Sequence, residues 1–151
     1  MNNKYYIDTS IWIDIYEDRI GFNNEKLGDY ASKLFYFIRK NNYKLIISDV
    51  LIKELESYYS IAEINGMVKP FEDIIEKIVT TTKQKDEAKK ITLERGLPYG
   101  DVLHTILARD NNLILVTRDK HFKELEFISK PYKPEELIWI LFPKAIFFLK
   151  F

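Results

Sequence analysis

Apolar positions along the chain fall into two patterns. Short runs at 4–8, 44–48 and 113–117 have the length and content of buried strands, and the second, Lys44-Leu45-Ile46-Ile47-Ser48, has an unbroken apolar centre. Longer stretches repeat at helical spacing, as Leu27, Tyr30, Leu34, Phe37 and Ile38 do within a helix predicted over 27–39. Thr9-Ser10 can cap a helix through 11–16, and 21–24 reads as a loop. After Ser48 the pattern predicts a helix over 50–64 closed by Asn65-Gly66, then a helix opened by Pro70 and running to 77, then a third strand over 78–81. Helices over 86–95, stopping at Gly96, and over 101–110 precede the strand at 113–117. A short last strand at 127–128 and a helix opening at Pro134 complete the reading. Alternating β and α units predict an α/β fold, a parallel sheet covered by helices on both faces.

Composition narrows the chemistry. At 151 residues the chain suits one domain, and 23 basic against 23 acidic side chains exclude a uniformly basic nucleic-acid binder while leaving room for a local basic rim. The absence of Cys removes disulfides, thiolate metal sites and thiol nucleophiles. His104 and His121 are the two histidines, too few for a zinc site built on several imidazoles. Catalysis would rest on carboxylates, hydroxyls and cations. The apolar stretch after Lys4 is interrupted by Asp8, and the apolar tail over 137–151 is broken by Pro143 and two lysines and falls short of the roughly 20 residues that span a bilayer. The expectation is a cytoplasmic protein with no membrane partner.

Ligands of open parallel sheets gather at the carboxyl ends of the strands. Those ends carry Asp8-Thr9-Ser10, Ser48-Asp49 and Thr117-Arg118-Asp119, and Asp101 opens the helix before the last of these strands. The helix after the second strand offers Glu54 or Glu56. Its expected buried stripe is Leu51, Leu55, Tyr58 and Ala62; at about 100° per residue, Glu54 lies about 60° from Leu51 and Glu56 about 140° away, so Glu54 is the one that leans over the sheet. Four carboxylates brought together resist ionising unless a cation neutralises them. An all-oxygen set favours Mg²⁺ or Mn²⁺, one ion or two, and such ions polarise phosphates and acidify an attacking water.

These segments resemble the PIN-domain ribonucleases, which include VapC-type toxins of toxin–antitoxin pairs. The likeness rests on Tyr6-Ile7-Asp8-Thr9-Ser10, on Ser48 with Glu54 inside Ile52-Lys53-Glu54-Leu55, on the segment from Asp101 to Ala108, on that from Leu115 to Phe122, and on Pro134-Glu135-Glu136-Leu137. The resemblance covers about 4–140 and implies a three-layer α/β/α sandwich around a five-stranded parallel sheet. It also implies a Mg²⁺- or Mn²⁺-dependent endoribonuclease that leaves a 5′-phosphate and a 3′-hydroxyl. Asp8, Glu54, Asp101 and Asp119 would be the catalytic, metal-binding acids, with Ser10 and Thr117 hydrogen-bonding to them. Where some members carry a further acid after the fourth, this chain has Lys120 and His121. The expected organisation is one PIN-like domain over 1–142 and an apolar extension over 143–151, a packing element or dimer contact without a counterpart in the family.

Around the acids, Arg118 and Lys120 bracket Asp119 and are the expected phosphate contacts. His104 reads as a packed or hydrogen-bonded histidine, His121 as a turn residue, and Asp14 and Asp49 as solvated carboxylates. Lys83, Lys85, Lys89, Lys90 and Arg95 are interleaved with acids and read as an ordinary solvated helix face. RNA, an antitoxin and a second copy are the partners this reading implies. The competing reading is a PIN-like module that binds RNA or protein without cutting. Dinucleotide and P-loop enzymes are disfavoured because neither glycine-rich motif is present, and Ser10 stands where an aspartate-phosphotransfer enzyme of the haloacid-dehalogenase type needs its second acid.

Overall fold

The computed structural model describes residues 3–141 and 143. Five parallel strands, β1 (Lys4–Ile7), β2 (Lys44–Ser48), β3 (Ile75–Ile78), β4 (Ile114–Val116) and β5 (Pro131–Tyr132), form one sheet in the order β3-β2-β1-β4-β5. Alternation along the strands sorts side chains between two layers. Tyr5, Ile7, Leu45, Ile47 and Val116 point into the larger cluster, with α1 (Thr9–Glu17), α2 (Leu27–Lys40), α3 (Asp49–Glu56), α4 (Ile61–Val68) and α7 (Pro134–Leu141). Tyr6, Ile46 and Leu115 point the other way, against Leu107 and Ala108 of α6 (Tyr99–Asp110). The helix α5 (Thr82–Arg95) packs on α6 through Ala88, and completes the second layer. The α/β/α sandwich and its five-stranded parallel sheet are therefore as predicted. No described helix is long and apolar enough to cross a membrane. The extension over 143–151 lies outside the described residues except for Pro143.

Several element boundaries differ from expectation, and capping groups account for two of the differences. The helix expected over 50–64 is two helices. Ser60 caps α4 by accepting from Glu63 N while the Glu63 carboxylate accepts from Ser60 N, so the chain restarts there. Tyr58, expected in the buried stripe, is consequently 71% exposed in the break. The third strand sits at Ile75–Ile78 rather than 78–81, preceded by a 3₁₀ turn over Lys69–Ile74 instead of a helix. Thr81 forms a reciprocal capping box with Gln84, which starts α5 four residues earlier than expected and commits 79–81 to the cap. The last strand is Pro131–Tyr132; the expected strand residues Phe127 and Ile128 lie in a turn closed by Ile128 N donating to Leu125 O. Pro131 is tolerated because β5 is an edge strand.

Candidate metal centre

The sheet order brings the carboxyl ends of β1 and β4 side by side, with Asp8 N donating to Val116 O at 2.9 Å. Asp8 follows the last residue of β1 and is 5% exposed. Its Oδ2 accepts from Ser10 Oγ and from Thr117 Oγ1, both at 2.9 Å. These two hydroxyls fix the carboxylate and leave Oδ1 facing His104 Nε2 at 3.8 Å. Thr117 Oγ1 also accepts from Asp119 N at 3.1 Å, which ties the turn after β4 to Asp8.

Glu54 reaches the site from α3, and Glu56 is exposed, as the helix geometry predicts. Its Oε2 accepts from Thr9 Oγ1 at 2.5 Å and its Oε1 from His104 Nε2 at 2.9 Å. Burial alone would push the Glu54 carboxyl up, but the bonds from His104 and Thr9 hold it below its ordinary value. Gly100 makes this approach possible, since a Cβ there would lie 2.6 Å from Glu54 Oε1.

Asp101 stands in the first turn of α6, where the helix dipole favours a carboxylate. Burial opposes that preference, and with the neighbouring Asp119 and Asp8 it pushes the carboxyl up to about 7. Asp119 caps the 3₁₀ turn over Lys120–Leu125, accepting from His121 N at 2.9 Å. The His121 ring lies close to both acids, with Nδ1 3.0 Å from Asp119 Oδ1 and 3.6 Å from Asp101 Oδ2. The four sequence-predicted acids all line one open cavity of about 670 Å³, whose rim includes Arg19, Tyr58 and Tyr59.

His104 is fully buried and joins the site through a chain of hydrogen bonds. Its Nδ1 meets the Tyr6 hydroxyl at 2.5 Å, which in turn meets Ser48 Oγ at 2.5 Å. Burial raises the Tyr6 hydroxyl well above its ordinary pKa, so it stays protonated. Burial works against the imidazolium, yet the Glu54 hydrogen bond and the charges of Asp8, Glu54 and Asp101 raise the His104 pKa. In neutral or cationic form, Nε2–H faces Glu54. The hydrogen-bonded role predicted for His104 holds, but its direct approach to two of the acids was not foreseen. The signal was present: His104 is three residues from Asp101 on one helix, so both face the strand ends.

Other residues sit differently from expectation. Arg118, expected at a phosphate, donates from Nη1 and Nη2 to the two Glu135 oxygens at 2.8 Å, with Nε 3.4 Å from Asp14 Oδ2. Its guanidinium is thus committed to the α1–α7 side of the sheet. Asp14, expected in solvent, is 2% exposed; burial raises its pKa, and Arg118 and Arg19 oppose that rise. Asp49, also expected to be only solvated, accepts from Thr80 N and Thr80 Oγ1 at 2.9 and 2.7 Å and pins β3 to α3. Lys120 remains exposed beside Asp119.

The donor chemistry fits a hard divalent cation. Ligand atoms of Asp8, Glu54 and His104 lie within 4.8 Å of one another, as do those of Asp101, Asp119 and His121. Burial first, and then the charges of Asp119 and Asp8, raise the Asp101 pKa, and a cation bound beside these carboxylates would offset both. Asp8, Glu54, Asp101 and Asp119 would supply oxygen ligands; the two rings sit at the edges of that set. The ion's identity does not follow from the geometry.

Comparison with solved structures gives the same fold. VapBC2 from Rickettsia felis, bound to a DNA fragment from its promoter, superposes with a TM-score of 0.62 at 22% identity, covering 86% of this chain and 98% of that one. A toxin–antitoxin complex from Klebsiella pneumoniae gives a TM-score of 0.58 at 17% identity, covering 86% and 97%. PAE2754 from Pyrobaculum aerophilum gives 0.55 at 20% identity, covering 91% and 96%. No curated protein matches the sequence. Residues 5–128 match the PIN domain, and the chain belongs to that family.

Proposed function

We propose that the protein is a metal-dependent endoribonuclease that hydrolyses RNA phosphodiester bonds at the cluster of Asp8, Glu54, Asp101 and Asp119. The observation that carries this reading is the convergence of four carboxylates from four separate segments on one open cavity. Mg²⁺ or Mn²⁺ held there would supply a Lewis acid for the scissile phosphate and for the attacking water. The chain's own groups hold the ligand oxygens in place. Ser10 and Thr117 lock Asp8 by one oxygen, and Thr9 with His104 locks Glu54 by both. Such fixed ligands need little rearrangement when a cation and a phosphate arrive.

Membership of the PIN family supports nuclease chemistry. Two structural neighbours are toxin–antitoxin complexes, which supports a toxin role with a protein antitoxin as partner. The domain proper would span 1–142, with the apolar segment over 143–151 as an extension, a packing element or a dimer contact.

The test is incubation of the purified protein with a mixed set of labelled RNAs in Mg²⁺, Mn²⁺ or EDTA, beside Asp8→Asn and Asp101→Asn. Cleavage that needs metal and is lost in both variants is expected. Retention of RNA binding without cleavage in either metal, together with no metal uptake by calorimetry, would promote the non-cutting module instead.

A further inference from the structure

A second cleft of about 180 Å³ opens on the β4–β5 side of the carboxylate cluster, and Asp119 lines both cavities. Lys120, Lys123, Lys130 and Lys133 surround this cleft, and all four are exposed. They come from two successive segments of the chain. Lys120 and Lys123 lie on the 3₁₀ turn after Asp119; Lys130 and Lys133 flank β5. Among the described residues none of the four ammoniums forms an ion pair.

The remaining charges do not cancel them. Arg118, at the floor, is matched by Glu135. Asp119, Glu126 and Glu136 also line the cleft, and Glu136 accepts from Lys133 N at 3.2 Å, so three carboxylates stand against four ammoniums and leave a positive excess. Lys130 is partly ordered in advance, its Nζ lying 5.1 Å from the centre of the Tyr132 ring. Unpaired cations converging on a concave surface match a polyanion whose charges are regularly spaced.

We propose that this cleft is a phosphate-backbone site that holds single-stranded RNA next to Asp119 and leads it into the carboxylate cluster. The proposal rests on the ribonuclease reading and extends it from the cutting centre to the residues that grip the strand. The shared Asp119 favours RNA over an acidic protein, because a strand held there by its phosphates passes directly to the acids. Lys120, expected at a phosphate from sequence alone, is one member of the set; Lys123, Lys130 and Lys133 become visible only once β5 is placed beside β4.

The test measures binding of a labelled, mixed-sequence single-stranded RNA in EDTA across a salt series. Wild type is compared with the double variant Lys123→Gln/Lys130→Gln and with Lys85→Gln/Lys89→Gln on α5, which removes the same charge elsewhere. Each lost phosphate contact lowers the salt slope by about 0.7 for a single strand, so the cleft variant should lose a slope of about 1.4 and bind about 25-fold more weakly at about 0.1 M salt. The α5 variant should bind as wild type does. Equal slopes in wild type and the cleft variant, equal losses in both variants, or no RNA binding by wild type in EDTA would overturn the proposal. Polyglutamate that binds wild type as tightly as RNA, and loses binding in the cleft variant alone, would also overturn it and assign the cleft to an acidic protein. None of these readouts needs cleavage, so failure of the nuclease reading, seen as no metal-dependent cutting, is distinguishable from failure of the cleft.

Discussion

Asp101→Asn should stabilise the metal-free protein at pH 8 while disabling its centre. In the folded chain, burial and the charges of Asp119 and Asp8 raise the Asp101 carboxyl from 3.8 to about 7. A rise of roughly three pH units, at 1.36 kcal/mol each, sets a ceiling of about 4 kcal/mol on what ionising this group costs the fold. The side chain is 17% exposed toward an open cavity, and water there screens part of the repulsion, so about 1–2 kcal/mol is the expected gain from an uncharged amide. For a chain of this size that is a rise in Tm of about 2–8 °C. The sign follows from which state binds the proton more tightly. Below about pH 4 the carboxyl is protonated both folded and unfolded, and the variant should gain nothing. Between pH 4 and 7 the unfolded chain ionises first, so wild-type stability falls as pH rises, and above pH 7 the full penalty is present. Thermal unfolding in EDTA at pH 4, 6 and 8 measures this. A variant no more stable than wild type at pH 8, or equally stabilised at every pH, would refute the electrostatic account of the cluster.

Protons should compete with cations at the same group: with Asp101 near 7, the apparent Kd for Mn²⁺ by calorimetry should weaken about tenfold between pH 8 and pH 6. Gly100→Ala should cost more in metal affinity than in stability, because the new Cβ displaces Glu54 Oε1 and breaks its 2.9 Å bond from His104; Mn²⁺ titration beside a melting curve separates the two. Arg118→Ala should destabilise the fold by about 2–4 kcal/mol, since it leaves half-buried Glu135 without its cation and buried Asp14 with only Arg19, 3.8 Å away; urea unfolding at neutral pH reads this, and a change under about 0.5 kcal/mol contradicts the assignment of Arg118 to the scaffold. Tyr6→Phe should cost about 1–3 kcal/mol by removing the hydroxyl shared by His104 Nδ1 and Ser48 Oγ.

The fold class was legible because β1, β2 and β4 are buried runs whose periodicity has no helical alternative of the right length. What escaped were decisions made by single side chains. Ser60 starts a new helix and Thr81 starts α5 early, each through a capping box that stands plainly in the sequence, Ser60-Ile61-Ala62-Glu63 and Thr81-Thr82-Lys83-Gln84; apolar spacing alone runs a helix through the first and ends a strand on the second. At the site, Asp8, Glu54, Asp101 and Asp119 could be found because each sits at a strand end or on a helix face that one-dimensional geometry reaches. Arg118 could not be placed the same way. Its neighbours Asp14 and Glu135 lie far away in sequence, and only the packing of α1 and α7 beside β4 draws the guanidinium off the cavity. His104 was read correctly as hydrogen-bonded, but its partners Tyr6 and Glu54 lie 98 and 50 residues away, beyond any local pattern.

The most direct test of the carboxylate centre is the chemistry of the ends it leaves. Wild-type protein should cut RNA in Mg²⁺ or Mn²⁺, leave 5′-phosphate and 3′-hydroxyl termini, and produce none of them in EDTA or with Asp8→Asn. Cutting that persists in EDTA, or that leaves 2′,3′-cyclic phosphate ends, would contradict hydrolysis by a cation held between these four acids.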